Sequence, residues 1–131
     1  MKNFYKNFFE EINNLLNQSD ISSLDKIAKT LSSLKRKNKV IIFGNGGSAA
    51  ISSHVSVDLT KNAKVRSINF NEADLLTCFA NDYGYEKVFS KSLEFYADRG
   101  DVVIIVSSSG RSKNLLEAAK ICKKKKILLY T

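Results

Sequence analysis

Two short loops hold most of the side chains that could do chemistry. Gly44-Asn45-Gly46-Gly47-Ser48 follows the apolar run Val40-Ile41-Ile42-Phe43. Three glycines in four positions allow positive φ and a close backbone approach to a ligand, while Ser48 offers a helix cap and a hydroxyl. Ser107-Ser108-Ser109-Gly110-Arg111-Ser112 follows the run Val102 to Val106. Its four hydroxyls, beside the N–H groups and positive dipole end of a predicted helix, suit a phosphate dianion. Either loop alone reads equally well as a tight turn or an N-cap. At the ends of two strong strands, they point to one shared polar ligand.

His54 is the only histidine, and Asp58 lies four residues on. On a helix these side chains share one face. Such a pair is either a local contact or two donors of a divalent metal site, and zinc needs three or four. A nucleotide reading fares worse. Gly44-x-Gly46-x-x-Ala49 matches the dinucleotide fingerprint in form, yet the second strand ends Ile68-Asn69-Phe70 without the acid that would hold a ribose. No Walker sequence occurs.

Elements must place these loops. Helical spacing over 4–17 (Phe4, Phe8, Ile12, Leu15, Leu16) and 23–35 (Leu24, Ile27, Ala28, Leu31, Leu34) predicts two amphipathic helices, the second starting on a Ser22/Asp25 capping box. Strands are predicted at 40–43, 65–69, 102–106 and 127–130, with helices at 48–60, 72–80, 85–97 and 112–123 between them. Strands alternating with helices predict an α/β fold with a parallel sheet. No linker or repeat divides the chain, so one domain is expected.

Composition bounds the rest. The 131 residues are 44% hydrophobic, which excludes wholesale disorder and suits one domain. The apolar runs fall far short of a membrane span, and the acids and amides near the start leave no signal-peptide core. A cytoplasmic protein is expected, with Cys78 and Cys122 as reduced, buried thiols. The net charge of +8 attracts anions in general, but its clusters, Lys35 to Lys39 and Lys123 to Lys126, read first as solvated helix C-termini. Nucleic acid is therefore not the expected partner.

GNGGSA after a strand, NDYGYE in mid-chain and SSSGRS after a later strand resemble the sugar isomerase (SIS) domain family, within it the phosphoheptose isomerase branch. The resemblance runs from the N-terminal helices to the last residue. It implies a flavodoxin-like three-layer sandwich: one SIS domain over 1–131, with N-terminal helices in 1–37 and an α/β core in 38–131 that lacks its C-terminal part. It implies an isomerase of heptose biosynthesis, interconverting sedoheptulose 7-phosphate and D-glycero-D-manno-heptose 7-phosphate through an enediol. By the same resemblance Ser107, Ser108, Ser109 and Ser112 hold phosphate, and Asn45, Gly46, Gly47, Ser48, Asn81 and Asp82 surround the sugar. His54 and Asp58 would be catalytic residues and zinc ligands, in a homotetramer.

Three departures qualify this. Arg111 stands where the family usually has Asn, and Asp58 where metal-using members have Glu. Their Gln and His from a C-terminal helix have no counterpart in a chain ending at Thr131. The alternative is a non-catalytic SIS protein that binds a sugar phosphate or associates with the bacterial replication initiator.

Overall fold

A computed structural model describes residues 2–131. The chain divides into two compact units, one ending at Thr30 and one running from Leu31 to Thr131. The first holds α1 (Lys2–Asn17) and most of α2 (Ile21–Ser32). Along α1 the apolar positions Phe4, Phe8, Ile12 and Leu15 are exposed. Helix α2 starts two residues before the expected 23. The Asp20 carboxylate accepts from the N–H of Ser22 (3.0 Å) and Ser23 (3.3 Å) and from the Ser23 hydroxyl (2.6 Å). A carboxylate serving three donors at a helix N-terminus outcompetes the Ser22/Asp25 box.

The second unit carries a four-stranded sheet: β1 (Val40–Gly44), β2 (Ser67–Asn69), β3 (Val102–Val106) and β4 (Leu128–Tyr130). The strand order is β2-β1-β3-β4 and every pairing is parallel. Helix α3 (Gly47–Lys61) joins β1 to β2. Helix α4 (Ala73–Tyr83), a 3-10 turn (Tyr85–Lys87) and α5 (Val88–Tyr96) lead to β3, and α6 (Lys113–Lys125) leads to β4. β2 is shorter than the expected 65–69 because Val65 is used to end α3, its N–H bonding Leu59 O at 2.9 Å.

Alternation along the strands builds the layers. Ile41, Phe43, Val103 and Ile105 face a core completed by Phe70 and by Val88, Phe89 and Leu93 of α5 and Leu115, Ala118 and Cys122 of α6. Phe43 stacks between Phe89 (4.5 Å) and Phe70 (5.7 Å). Val40 and Ile42 are equally buried but alternate to the other face, where α3 packs on β1 and β2 with Ser52 and Ser56 buried. The result is the expected α/β/α sandwich. Cys122 is buried, as expected, and burial pushes its thiol up to about 11; Cys78 is exposed instead, on the outer side of α4. Among the described residues no helix is long and apolar enough to cross a membrane.

At the N-terminal edge of the sheet lies a buried ion pair. Lys39 Nζ donates to Asp101 Oδ2 (2.6 Å) and Asp98 Oδ2 (2.9 Å), and Asp101 also accepts from the N–H groups of Lys39 and Asp98. Burial alone would raise the Asp101 carboxyl, but these donors hold it below the usual carboxylate value. Burial likewise opposes the Lys39 charge, and the two carboxylates still raise it.

Candidate active site

From β1 the chain crosses to β2 on one side, then to β3 on the other. The strand order thus reverses between β1 and β3, where open α/β sheets bind ligands beyond the carboxyl ends of the strands. Gly44 pairs in register with Val106, so the glycine loop and the serine loop leave the sheet level with each other.

Close packing explains the first glycine. A Cβ on Gly44 would lie 2.6 Å from Val106 O and 2.8 Å from Ser48 Cβ. Asn71 holds this residue from the side, accepting from Gly44 N–H (3.3 Å) and donating to Gly44 O (2.8 Å). Asn69 similarly donates to Ile42 O at 2.9 Å. The amides of Asn69, at the end of β2, and Asn71, just beyond it, are thus spent on the backbone of β1, in place of a ribose-binding acid. Gly46, at φ 54, is the N-cap of α3, so the helix starts at Gly47 and Ser48 lies inside its first turn rather than capping it.

Neither α3 nor α6 receives a side-chain cap. In α3 the N–H groups of Ser48 and Ala49 turn back onto Asn45 O (3.0 and 3.3 Å), whereas at α6 the first backbone bond comes at Leu115, to Ser112 O (3.1 Å), which leaves the N–H groups before it open to an anion. The serine loop is braced from within. Ser107 Oγ accepts from Gly110 N–H (3.1 Å) and Ser109 Oγ from Arg111 N–H (3.2 Å). Each hydroxyl that accepts from its own backbone keeps its proton to donate to an anion. Ser108 and Arg111 are exposed, Ser112 half-buried, and the adjoining cavity of about 280 Å³ is lined by Ser107, Gly110, Leu115 and Leu116.

The two loops are tied together by residues that sequence reasoning missed. Asn45 Nδ2 donates to Asn114 Oδ1 (2.9 Å), and Asn114 Nδ2 donates back to Asn45 Oδ1 (3.0 Å). Tyr85 adds its hydroxyl to Asn45 Oδ1 at 3.1 Å. Asn114 is buried in the first turn of α6, and Tyr85 opens the 3-10 turn after α4. Both stood inside or beside noted segments, in NDYGYE and just after SSSGRS. Only folding shows that they converge on Asn45.

The remaining candidates stand apart. Asn81 and Asp82 are exposed at the end of α4, bonded to each other (3.0 Å), and no hydrogen bond among the described residues joins them to either loop. His54 Nε2 lies 3.5 Å from Asp58 Oδ2 on α3, with 80% and 49% of the two side chains exposed, and Asp58 also accepts from Asn62 (3.1 Å). At the α-helical rise, Asp58 is about 16 Å along the axis from Gly47. One imidazole and one carboxylate do not make a zinc site, and among the described residues no group of three potential ligands occurs. His54 and Asp58 thus supply two of the three or four donors that a zinc site needs.

Comparison with known proteins agrees with this geometry. The model of the family described as SIS domain matches residues 5–130. The phosphoheptose isomerase of Cytophaga hutchinsonii is 42% identical over 110 residues, covering 79% of this chain and 58% of that protein. The probable phosphoheptose isomerase of Thermoplasma acidophilum is 41% identical over 118 residues, covering 85% and 63%. The chain thus spans about three fifths of the length of these curated relatives. The structure of a phosphoheptose isomerase from Neisseria gonorrhoeae superposes with a TM-score of 0.86 at 27% identity, covering 98% of this chain and 72% of that one. One from Francisella tularensis shares the fold with the same TM-score at 21% identity.

Proposed function

The chain belongs to the SIS domain family, in its phosphoheptose isomerase branch, and from that premise we propose that it handles a phosphorylated seven-carbon sugar. The proposed reaction interconverts sedoheptulose 7-phosphate and D-glycero-D-manno-heptose 7-phosphate. The observation that carries this reading is the pairing of Asn45 with Asn114, which holds a glycine loop and a phosphate-type serine loop together at the switch point.

Ser107 and Ser109 would donate their hydroxyl protons to the phosphate, aided by the start of α6. The glycine loop would border the sugar, with the backbone of Gly46 and Gly47 free to approach it closely. Phosphate binding orients the sugar but moves no proton. The chemistry removes a proton from the carbon beside the carbonyl while the carbonyl oxygen gains one. The resulting enediol then takes a proton on the neighbouring carbon as its other hydroxyl becomes the new carbonyl. Asp58 is the candidate base and His54 the group to serve the oxygens, supported by their mutual distance of 3.5 Å. The exposed apolar face of α1 supports self-assembly as part of the proposal, and the two free thiols support a cytoplasmic setting.

The test is incubation with sedoheptulose 7-phosphate in deuterated water. The reading expects the aldose to form with deuterium beside its carbonyl; no aldose and no deuterium would overturn it. One observation favours a second reading, binding without catalysis. Asp58 lies about 16 Å along α3 from the glycine loop, and a base misplaced by about 1 Å can cost on the order of a hundredfold in rate.

A further inference from the structure

The first lysine-rich cluster, Lys35 to Lys39, does not sit on a helix end. Helix α2 stops at Ser32, and only Lys39 enters the buried ion pair with Asp101. Lys35 and Arg36 instead line a recessed cavity of about 320 Å³ at the N-terminal edge of the sheet, opposite the two loops. Lys64 and Arg66, from the turn between α3 and β2, line the same cavity. Its four charged side chains are all cations, and no carboxylate lines it. Nor does any of the four form an ion pair among the described residues.

Part of this charge is already directed. Arg66 donates to Arg36 O (3.2 Å) and Lys37 O (2.9 Å), which fixes its guanidinium across the cavity and leaves further N–H donors. Lys64 holds its position at a backbone cost: its φ is 57, a left-handed conformation usually given to glycine where helices end. Its ammonium bonds Lys61 O at 2.8 Å. Lys35 and Arg36 have no side-chain partner among the described residues.

We propose that this cavity is a second anion site, built for a small phosphate-bearing ligand. The four cations are exposed, but they line one recess from segments about 30 residues apart, and an anion seated there would face all of them with no carboxylate to compete. The volume lies at the lower end of small-ligand pockets, and a recess rather than a stripe fits a compact polyphosphate better than a nucleic-acid backbone. The site is independent of the serine loop, so it stands or falls separately from the isomerase reading.

The probe is inorganic pyrophosphate, titrated into the full chain while its backbone amide NMR shifts are followed. Saturable shifts are expected at Arg36, Lys64 and Arg66, weakening as salt rises. Affinity there should fall about tenfold in Arg36→Gln and in Lys64→Gly, the latter relieving the left-handed backbone and so posing no threat to folding. It should be unchanged in Ser109→Ala and in Lys124→Gln, a surface control on α6. Shifts confined to residues 107–112, or an equal loss in Lys124→Gln, would overturn the proposal. So would a short DNA duplex that outcompetes pyrophosphate at these residues.

Discussion

Asn45 and Asn114, 69 residues apart, exchange two amide hydrogen bonds of 2.9 and 3.0 Å and so join the glycine loop to the first turn of α6. Each amide is both donor and acceptor, so neither aspartate nor alanine can replace either without leaving a polar atom unmet. Because Asn114 is buried, Asn114→Ala should destabilise the chain by about 1–3 kcal/mol. It should also weaken sugar-phosphate binding, because the glycine loop loses its register with the serine loop. Tyr85→Phe, which removes one bond to Asn45, should cost less, about 1 kcal/mol. Urea unfolding of both variants beside wild type checks the order.

The Lys39–Asp101 pair makes stability depend on pH at both ends. The Asp101 carboxyl is held below its ordinary 3.8, so its contribution is complete above that value and is lost as pH falls through the depressed one. Lys39 is raised above 10.5, so its contribution is complete below that value and is lost as pH rises past the elevated one. Asp101→Asn should cost on the order of 3 kcal/mol at pH 7, the low end for a broken buried pair because Asp98 stays 2.9 Å from Lys39. It should also flatten the acid limb of a plot of unfolding free energy against pH.

Helix α6 ends on Lys126 at φ 55, bonded through its N–H to the carbonyls of the last turn. A side chain in that conformation costs about 1–2 kcal/mol that glycine avoids. Lys126→Gly should therefore raise stability by about 1 kcal/mol, or several degrees in melting temperature for a chain of this size. Calorimetric melting decides it.

Much of this architecture is legible in the residues. The run at Val40 is buried on both faces and the run at Val102 is buried or half-buried throughout, so both read as strands from apolarity alone, and the loops that follow them carry their own chemistry. What escapes is what only tertiary structure creates. Asn114 looks like any polar residue in a helix until Asn45 meets it. Asp20 outcompetes the Ser22/Asp25 box for the start of α2, as Gly46 displaces Ser48 at the start of α3. Cys78 reads as buried by residue type, yet α4 turns it outward. Lys35 and Arg36 read as helix-end charges because their partners in space, Lys64 and Arg66, are distant in sequence.

For catalysis, Asp58→Asn keeps the side-chain size and removes the carboxylate proposed as the base. It should lower turnover by at least about a hundredfold while leaving affinity for the sugar phosphate within about twofold. Steady-state kinetics paired with equilibrium binding separates the two effects. Equal turnover in the variant would show that Asp58 is not the base.

The claim that the serine loop holds the substrate phosphate is tested most directly by calorimetric titration of sedoheptulose 7-phosphate into wild type and Ser109→Ala. The account predicts saturable binding to wild type and an affinity lower by about tenfold or more in the variant, as expected for one lost charge-assisted hydrogen bond. Equal affinity in the two proteins, or no binding to wild type, would contradict it.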